Sequence, residues 1–562
     1  MGASAFLHPG LWLAAAGVAA FFLRGRARAA LLLAAPLAAL AFLWLIPDGA
    51  HGRWTFLGLE ATLLRVDRLA RLFATIFAIM AFAGALFALR QESRIELPAA
   101  FVYAGASIGA VLAGDLVTLF VFWELMAVGS TLVLWSAGPQ AWAASRRYLL
   151  MHLLGGVLLM AGIAGHVAAT GQVAFEAMRP DSVARALILA GFLLNAGAPP
   201  VSAWLPDAYP ESSWSGMVFL AAFTTKTAVY VLLRGFAGTE ILVPLGLFMV
   251  FYGIAYAIVE DDMRRLLAYS IVSQVGFMVT AAGIGTAMAV NGAAAHAFAH
   301  ILYKGLLLMA VGAVLRETGE RRLSALGGLA RRMPVAAAGA IVGALSISAF
   351  PLTSGFVTKS MISQAAADAH LQAVWLALAA ASAGTCLYAG LKLPWFAFFE
   401  RESGRPAKDP PATMRAAIGL LAFLCLALGV APGALYALLP HPVDYAPYTA
   451  GHVVAMLQVL LFSALAFALL LPVLRRAPGG RMRDADWLWR RLVPGIWAPL
   501  EAAMAALRGG ITTPATLFAR RATDAIARFG APTGAFGRVW ATRTMMVWVV
   551  LLLAALLLLS YR

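Results

Sequence analysis

Apolar residues along this chain come in long, nearly unbroken runs rather than in alternation or on one face of a helical repeat. A helix needs roughly 17–25 such residues to cross a bilayer. Runs of that kind fall near 6–22, 29–46, 69–89, 98–113, 115–136, 148–168, 184–200, 215–234, 240–259, 265–284, 293–315, 334–350, 371–397, 414–431, 452–473 and 544–560. The pattern predicts an all-α polytopic membrane protein with about 14–16 crossings. The runs at 184–200 and 215–234 read as one broken span, and the shorter 353–366 as half of another. The first apolar run has no basic segment before it, so it reads as a membrane helix rather than a removable leader.

Both interrupted stretches follow the same order. NAGAPPVSAWLPDAYPESSWSGMVFLAAFTTKTAVYVLLR breaks at Pro199-Pro200, crosses a polar patch holding Asp207 and Glu211, and resumes with Lys226 in its middle. SISAFPLTSGFVTKSMIS is interrupted at Pro351, Ser354 and Gly355, with Lys359 following within two turns. Broken helices in hydrocarbon leave backbone groups that only protein or a water-lined cavity can satisfy. Paired Gly/Pro-interrupted segments are a pointer to internal repeats and a mid-membrane site.

The polar positions inside the other runs are few. Glu124 lies in VTLFVFWELMAVGSTLVLW, and an embedded carboxylate suggests a functional site with a partner. Lys226 is the expected partner, either as a proton-release pair or as a static ion pair. HAFAHILYK puts His296, His300 and Lys304 at i, i+4 and i+8, on one helical face. No third ligand or HExxH glutamate accompanies the two histidines, so a hydrated proton path is favoured over a metal site. EDDMRRLLAYSIVSQVGFM gathers Glu260, Asp261, Asp262, Arg264 and Arg265 at a junction of two spans.

Composition agrees with the pattern. The 562 residues are 62% hydrophobic and 12% charged, about half the charged share of a soluble domain. The net charge of +16 has a topological explanation rather than a nucleic-acid one. RGRAR at 24–28, Arg90, Arg94 and Arg146-Arg147 fall in alternate early loops, which puts those loops inside. Of 42 basic residues only five are lysine, and Lys226, Lys304, Lys359 and Lys392 lie in or at the end of apolar runs. Buried lysine can lose its proton and arginine effectively cannot, so this placement suits proton handling. Cys386 and Cys425 read as small buried hydrophobes. Residues 474–543 mix arginine with apolar residues at helical spacing, as in helices lying along a membrane surface or a partner subunit.

FVFWELM, AWLPDAYPES with TTKTAVYVLLR, DDMRRLLAYSIVSQVGF, HAFAHILYKGLLLMAVGAV and PLTSGFVTKSM occur in order over about residues 100–400. Together they resemble the antiporter-like family shared by Mrp-type cation/proton antiporters, their D-type subunit above all, and the proton-pumping subunits of respiratory complex I. The tail from DADWL to the last span is similar to the lateral helix and anchoring span of the largest complex I antiporter-like subunit. The resemblance implies two inverted five-helix repeats, each with a discontinuous helix. It also implies a proton pathway through Glu124, Lys226, His296, His300, Lys304 and Lys359. Arg264 stands where the family often has lysine, so with Asp207 it is expected to act electrostatically rather than as a relay.

The expected organisation is 1–97 as N-terminal membrane helices, 98–400 as the conducting core and 401–473 as further membrane helices. The lateral segment follows at 474–543 and a terminal anchor at 544–562. The expected function is a proton-translocating subunit of a multisubunit Na⁺ or K⁺/proton antiporter, in a bacterial inner membrane. Its partners would be other membrane subunits, lipid, protons and a monovalent cation. No metal, flavin, quinone, haem or iron–sulfur cofactor is expected on this chain. A redox-driven pump subunit, of complex I or a membrane-bound hydrogenase, and a non-conducting scaffold are the alternatives.

Overall fold

The computed structural model describes residues 8–56, 58–475, 484–492 and 551. The chain divides into two compact units, Met1–Asp486 and Trp487–Arg562. Of the second, the description covers a single π-helical turn at Leu488–Leu492 with Trp487 before it, and Leu551. Apart from the few positions just named, the lateral segment expected over 474–543 and the anchor expected over 544–562 lie outside the described residues.

The first unit begins with α1 (Pro9–Phe22), α2 (Gly25–Leu45), α3 (Arg68–Ala88), α4 (Glu96–Leu112), α5 (Leu116–Trp135) and α6 (Pro139–Thr170). Helix starts are written in short polar side chains. Asp67 accepts from the Ala70 amide at 2.9 Å to open α3, and Asp115 accepts from Thr118 at 2.7 Å to open α5. A hairpin that the hydropathy pattern does not announce, β1 (Gly49–Phe56) and β2 (Leu59–Val66), joins α2 to α3. It is antiparallel from Gly49↔Val66 to Phe56↔Leu59. Its Thr62 amide donates to Asp115 at 2.8 Å, which pins it to the turn between α4 and α5. At the opposite end, Arg28 donates to the Arg94 carbonyl, so two of the basic loops meet on one face as the charge alternation requires.

The first broken span starts as α7 (Val183–Ala196), which the left-handed Gly197 (φ 77°) ends. The short helices α8 (Trp204–Ala208) and α9 (Gly216–Leu220) cross the gap, and α10 (Thr224–Gly235) resumes. Then follow α11 (Leu242–Val259), α12 (Met263–Ile284) and α13 (Ala287–Thr318). The second broken span is α14 (Pro334–Ile347) and α15 (Ser354–Asp368). Fourteen residues of α-helix span about 21 Å, too little to cross alone, and so each half needs its continuation. Ser354 and Gly355, expected within the second interruption, instead open α15; the break is Ser348–Thr353, around Pro351.

The unit closes with α16 (Gln372–Thr385), α17 (Ala412–Val430), α18 (Gly433–Tyr436) and α19 (Ala450–Leu474). α16 continues as π-helix through Cys386–Lys392 and again at Trp395–Phe399. Among the described residues, 11 helices are long and apolar enough to cross a membrane, and four shorter apolar ones accompany them. This is an integral, multi-pass, all-α membrane protein. α12 and α13 are its axis: 94% of the apolar window of each is buried, and α13 touches α3, α10, α12, α14, α15 and α17. A face buried in protein can carry polar side chains that a lipid-facing one could not.

Candidate functional site

Polar side chains from both broken spans converge on the α12–α13 axis. Lys226, wholly buried on α10, donates to the Ala221 carbonyl at 2.8 Å and to the Thr225 hydroxyl at 3.0 Å. Lys304 donates to Ser270 on α12 at 2.6 Å, and the Tyr388 hydroxyl, on the π-helical stretch, reaches the same oxygen at 3.2 Å. Lys359 donates to the Ile347 carbonyl at 2.7 Å and lies 5.0 Å above the Phe277 ring. Among the described residues, every ion pair involves arginine, and none of these three lysines has a carboxylate partner.

His300 sits at the junction. Lys226, Lys304 and Lys359 all lie within electrostatic reach of its ring, together with His296. It is wholly buried, and among the described residues neither ring nitrogen has a hydrogen-bond partner. Buried polar nitrogens left in that state call for water or a mobile proton.

His296, one turn earlier on α13, is fully engaged. Its Nδ1 lies 3.1 Å from the Thr358 hydroxyl, and its Nε2 lies 3.3 Å from both Gln274 Oε1 and the Tyr303 hydroxyl. The Thr358 hydroxyl donates to the Ser354 carbonyl at 3.0 Å, leaving a lone pair for an Nδ1–H. Nε2 then faces one donor and one acceptor. The neutral ring accepts from Tyr303, and the doubly protonated ring donates to Gln274. This arrangement serves both protonation states without moving the backbone. Among the described residues no group of three or more His, Cys, Asp or Glu gathers.

The remaining expected residues are placed differently. Glu124 is half-buried on α5, and its Oε1 packs so tightly on α6 that a Cβ at Gly156 would come within 2.1 Å of it. It forms no ion pair with Lys226, whose ammonium is held by Ala221 and Thr225, so the expected Glu124–Lys226 pair is not made within this chain. Asp207 on α8 takes a bidentate pair from Arg147, at 2.7 and 2.9 Å. Arg264 donates to the carbonyls of Pro210, Ser212 and Ser213 and to the Ser212 hydroxyl, at 2.7–3.0 Å. It therefore clamps the turn at 210–213 and makes no hydrogen bond to Lys226. Arginine's fork of five donors suits that job; one ammonium would not span the four oxygens.

Ser270, Gln274, Tyr303, Thr358 and Tyr388 join the site without having been expected there. A signal for two of them exists: Ser270 and Gln274 are polar residues at i, i+4 in AYSIVSQVGF, on a mainly apolar span, facing the Lys304 stripe.

Residues 113–385 match the family described as "NADH:quinone oxidoreductase/Mrp antiporter, TM". An uncharacterized protein of Mycobacterium tuberculosis is 31% identical over 438 residues, covering 69% of this chain and 66% of the relative. The D-type subunit of a Na(+)/H(+) antiporter from Alkalihalophilus pseudofirmus is 30% identical over 320 residues, covering 52% of this chain and 65% of that protein. The chain thus spans slightly under two thirds of both curated relatives. Among solved structures, the Mrp complex from Dietzia sp. DQ12-45-1b superposes with a TM-score of 0.76 at 26% identity, over 90% of this chain and 62% of that one. The matched region runs from the start of α5 to the end of α16 and so takes in both breaks and the whole lysine–histidine axis. Residues 113–385 of this chain thus match the membrane domain of the NADH:quinone oxidoreductase/Mrp antiporter family.

Proposed function

We propose that the chain is the proton-translocating membrane subunit of a multisubunit monovalent cation/proton antiporter, working with other membrane subunits in a bacterial cell membrane. The observation that carries this reading is His300. It is buried and unpartnered between three buried lysines that hydroxyls and helix-end carbonyls hold, with no carboxylate. A lysine paired to a buried carboxylate is locked in its charged form; a lysine held by dipoles can exchange its proton.

Protons enter beside Lys226, cross by water and His300 to Lys304, and leave by way of His296 and Lys359. Glu124, half-buried on α5 with its carboxylate against Gly156 of α6, would act on the entry side rather than as Lys226's counter-ion. The Na⁺/H⁺ antiporter subunit named above supports sodium as an exchanged ion.

The test uses inverted vesicles with the whole native assembly, an imposed pH gradient and a pH-sensitive dye. Added sodium or potassium should collapse the gradient in wild type, and Lys304→Ala should lower the rate by at least about a hundredfold, as expected for loss of a proton-transfer group. A rate that survives Lys304→Ala rejects this path. The family also includes redox-driven pumps: if no cation has an effect while NADH or another reductant builds a gradient, the chain is a pump subunit instead.

A further inference from the structure

Glu96 is not among the expected proton carriers, and nothing in the axis described above uses it. It opens α4 and is 0% exposed. Ser215 donates its hydroxyl to Oε1, Gln91 reaches Oε2 at 3.1 Å, and Ser136 approaches the same oxygen at 3.4 Å. Among the described residues it forms no ion pair. A carboxylate wanted only for structure would be expected to have a cation, or to be an amide. Instead four neutral polar groups surround it, with Ser213 completing the cluster through Gln91 and Ser215.

Through Gln91 this cluster adjoins a large water-accessible opening. A cavity of about 870 Å³, lined by Arg90, Gln91, Glu92, Trp214, Arg316 and Arg415 among others, lies on the face where Arg28 meets Arg94. Gln91 belongs to both: its side chain borders the cavity, and its amide nitrogen lies 2.7 Å from Ser215. On the other side, two turns along the same face of α4, the Tyr103 hydroxyl is 2.6 Å from Thr224 and accepts from the Thr224 amide at 2.9 Å. Thr225, the next residue, holds the Lys226 ammonium. The seven residues from Glu96 to Tyr103 rise about 10 Å, so transfer between them would need a chain of a few waters.

We propose that Glu96 is a proton-accepting residue of the amino-terminal half: it takes a proton from water in the 870 Å³ cavity and passes it by water to the Tyr103–Thr224 hydroxyls beside Lys226. The carboxylate gains the proton from hydronium, and the carboxylic acid later returns it to water on the Tyr103 side, so no other reactant is needed. The inference rests on the proposed transport function and adds its inlet.

The experiment compares Glu96→Gln, Glu96→Asp and Lys304→Ala in the vesicles described above, with assembly checked by co-purification of the other subunits. Glutamine keeps the shape and one acceptor oxygen, its amide nitrogen can donate to a serine hydroxyl, and it cannot carry a proton. Glu96→Gln should lower cation-driven collapse at least about tenfold, while Glu96→Asp keeps most of it. A merely structural role would be served by glutamine and not selectively rescued by aspartate. Wild-type rates in Glu96→Gln with loss in Lys304→Ala overturn the inlet alone. Survival in both variants overturns the inlet and the transport reading together. Should Glu96→Gln not assemble, Glu92→Cys serves: a membrane-impermeant cationic thiol reagent should modify it and block transport at least about threefold by plugging the inlet. Full modification without block overturns the proposal.

Discussion

The two broken spans reach one result by different means. In both, a lysine reaches a carbonyl at the C-terminal end of the helical piece that precedes its own helix. Lys226 takes Ala221, one residue past α9, and Lys359 takes Ile347, the last residue of α14. The last carbonyls of a helix have no intrahelical donor and carry the negative end of its dipole. The ammonium supplies the missing donor, and the helix end supplies a partial rather than a full counter-charge. Lys392 repeats the arrangement at a third place, on the carbonyls of Ile258 and Glu260 at the end of α11.

The breaks themselves differ. The first runs from Gly197 to Phe223, carries two short helices and is tied down from outside by Arg147 on Asp207 and Arg264 on the 210–213 turn. The second is six residues long and makes its turn with two non-glycine residues in the left-handed region, Ala349 (φ 60°) and Leu352 (φ 67°). Each such residue costs about 1–2 kcal/mol, which close packing has to offset. The second break is also bonded to the axis through Thr358 and His296, whereas no protein hydrogen bond links Lys226 to His300. The long break is held by arginines of α6 and α12, and the short one is followed by a side-chain link to α13.

If helix ends are what hold both lysines, then replacing exchangeable ammonium by permanent charge should stop both halves alike. Lys226→Arg and Lys359→Arg should each lower cation-driven gradient collapse by at least about a hundredfold, because guanidinium does not release its proton. Measured in the same vesicles, a normal rate in one variant and loss in the other would break the equivalence, leaving one lysine as scaffold.

A second test concerns how each break is held. A Cβ on Gly355 would lie 1.7 Å from the Ser346 carbonyl oxygen, a backbone atom that cannot move without opening the short turn. Gly355→Ala should therefore destabilise by about 1–3 kcal/mol or more, seen as a lower midpoint for heat-induced loss of the monodisperse protein. At Gly197 a Cβ would meet the far end of the Leu205 side chain at 2.7 Å, which can swing aside, leaving mainly the cost of φ 77°. Gly197→Ala should cost nearer about 1 kcal/mol. Equal losses would mean that the short break is no more tightly packed than the long one.

These contrasts also mark what is readable without coordinates. The breaks, their order, the three axis lysines and the histidine pair stand out in sequence because each is a polar or helix-breaking residue in an apolar run, where burial makes it costly. The expected Glu124–Lys226 pair rests on complementary charge alone, and sequence does not show which way α5 turns its carboxylate. Arg264 reads as an electrostatic neighbour of Lys226; only the positions of the Pro210, Ser212 and Ser213 carbonyls reveal a clamp. The hydroxyls escape notice because serine and threonine are common in membrane helices and carry no charge. Glu96, at the edge of an apolar run beside Arg94, reads as interfacial until the fold closes Ser136 and Ser215 over it.

The smallest expected effect is at those hydroxyls, and it separates the two lysines most finely. Valine for threonine keeps the shape and removes the oxygen. Thr225→Val takes away one of two acceptors from the Lys226 ammonium itself, and a hydrogen bond to a charged group is worth about 1.5–3 kcal/mol. Thr358→Val leaves the Lys359 ammonium on Ile347 and removes only the acceptor for His296 Nδ1, a bond of about 0.5–1.5 kcal/mol. Transport should therefore fall about tenfold or more in Thr225→Val and about threefold in Thr358→Val, one tenfold step being about 1.4 kcal/mol. If Thr358→Val proves the more damaging, the link from the short break through His296 carries more of the transfer than the ammonium's own contacts. The asymmetry between the halves would then lie in their connection to the axis and not in how each lysine is held.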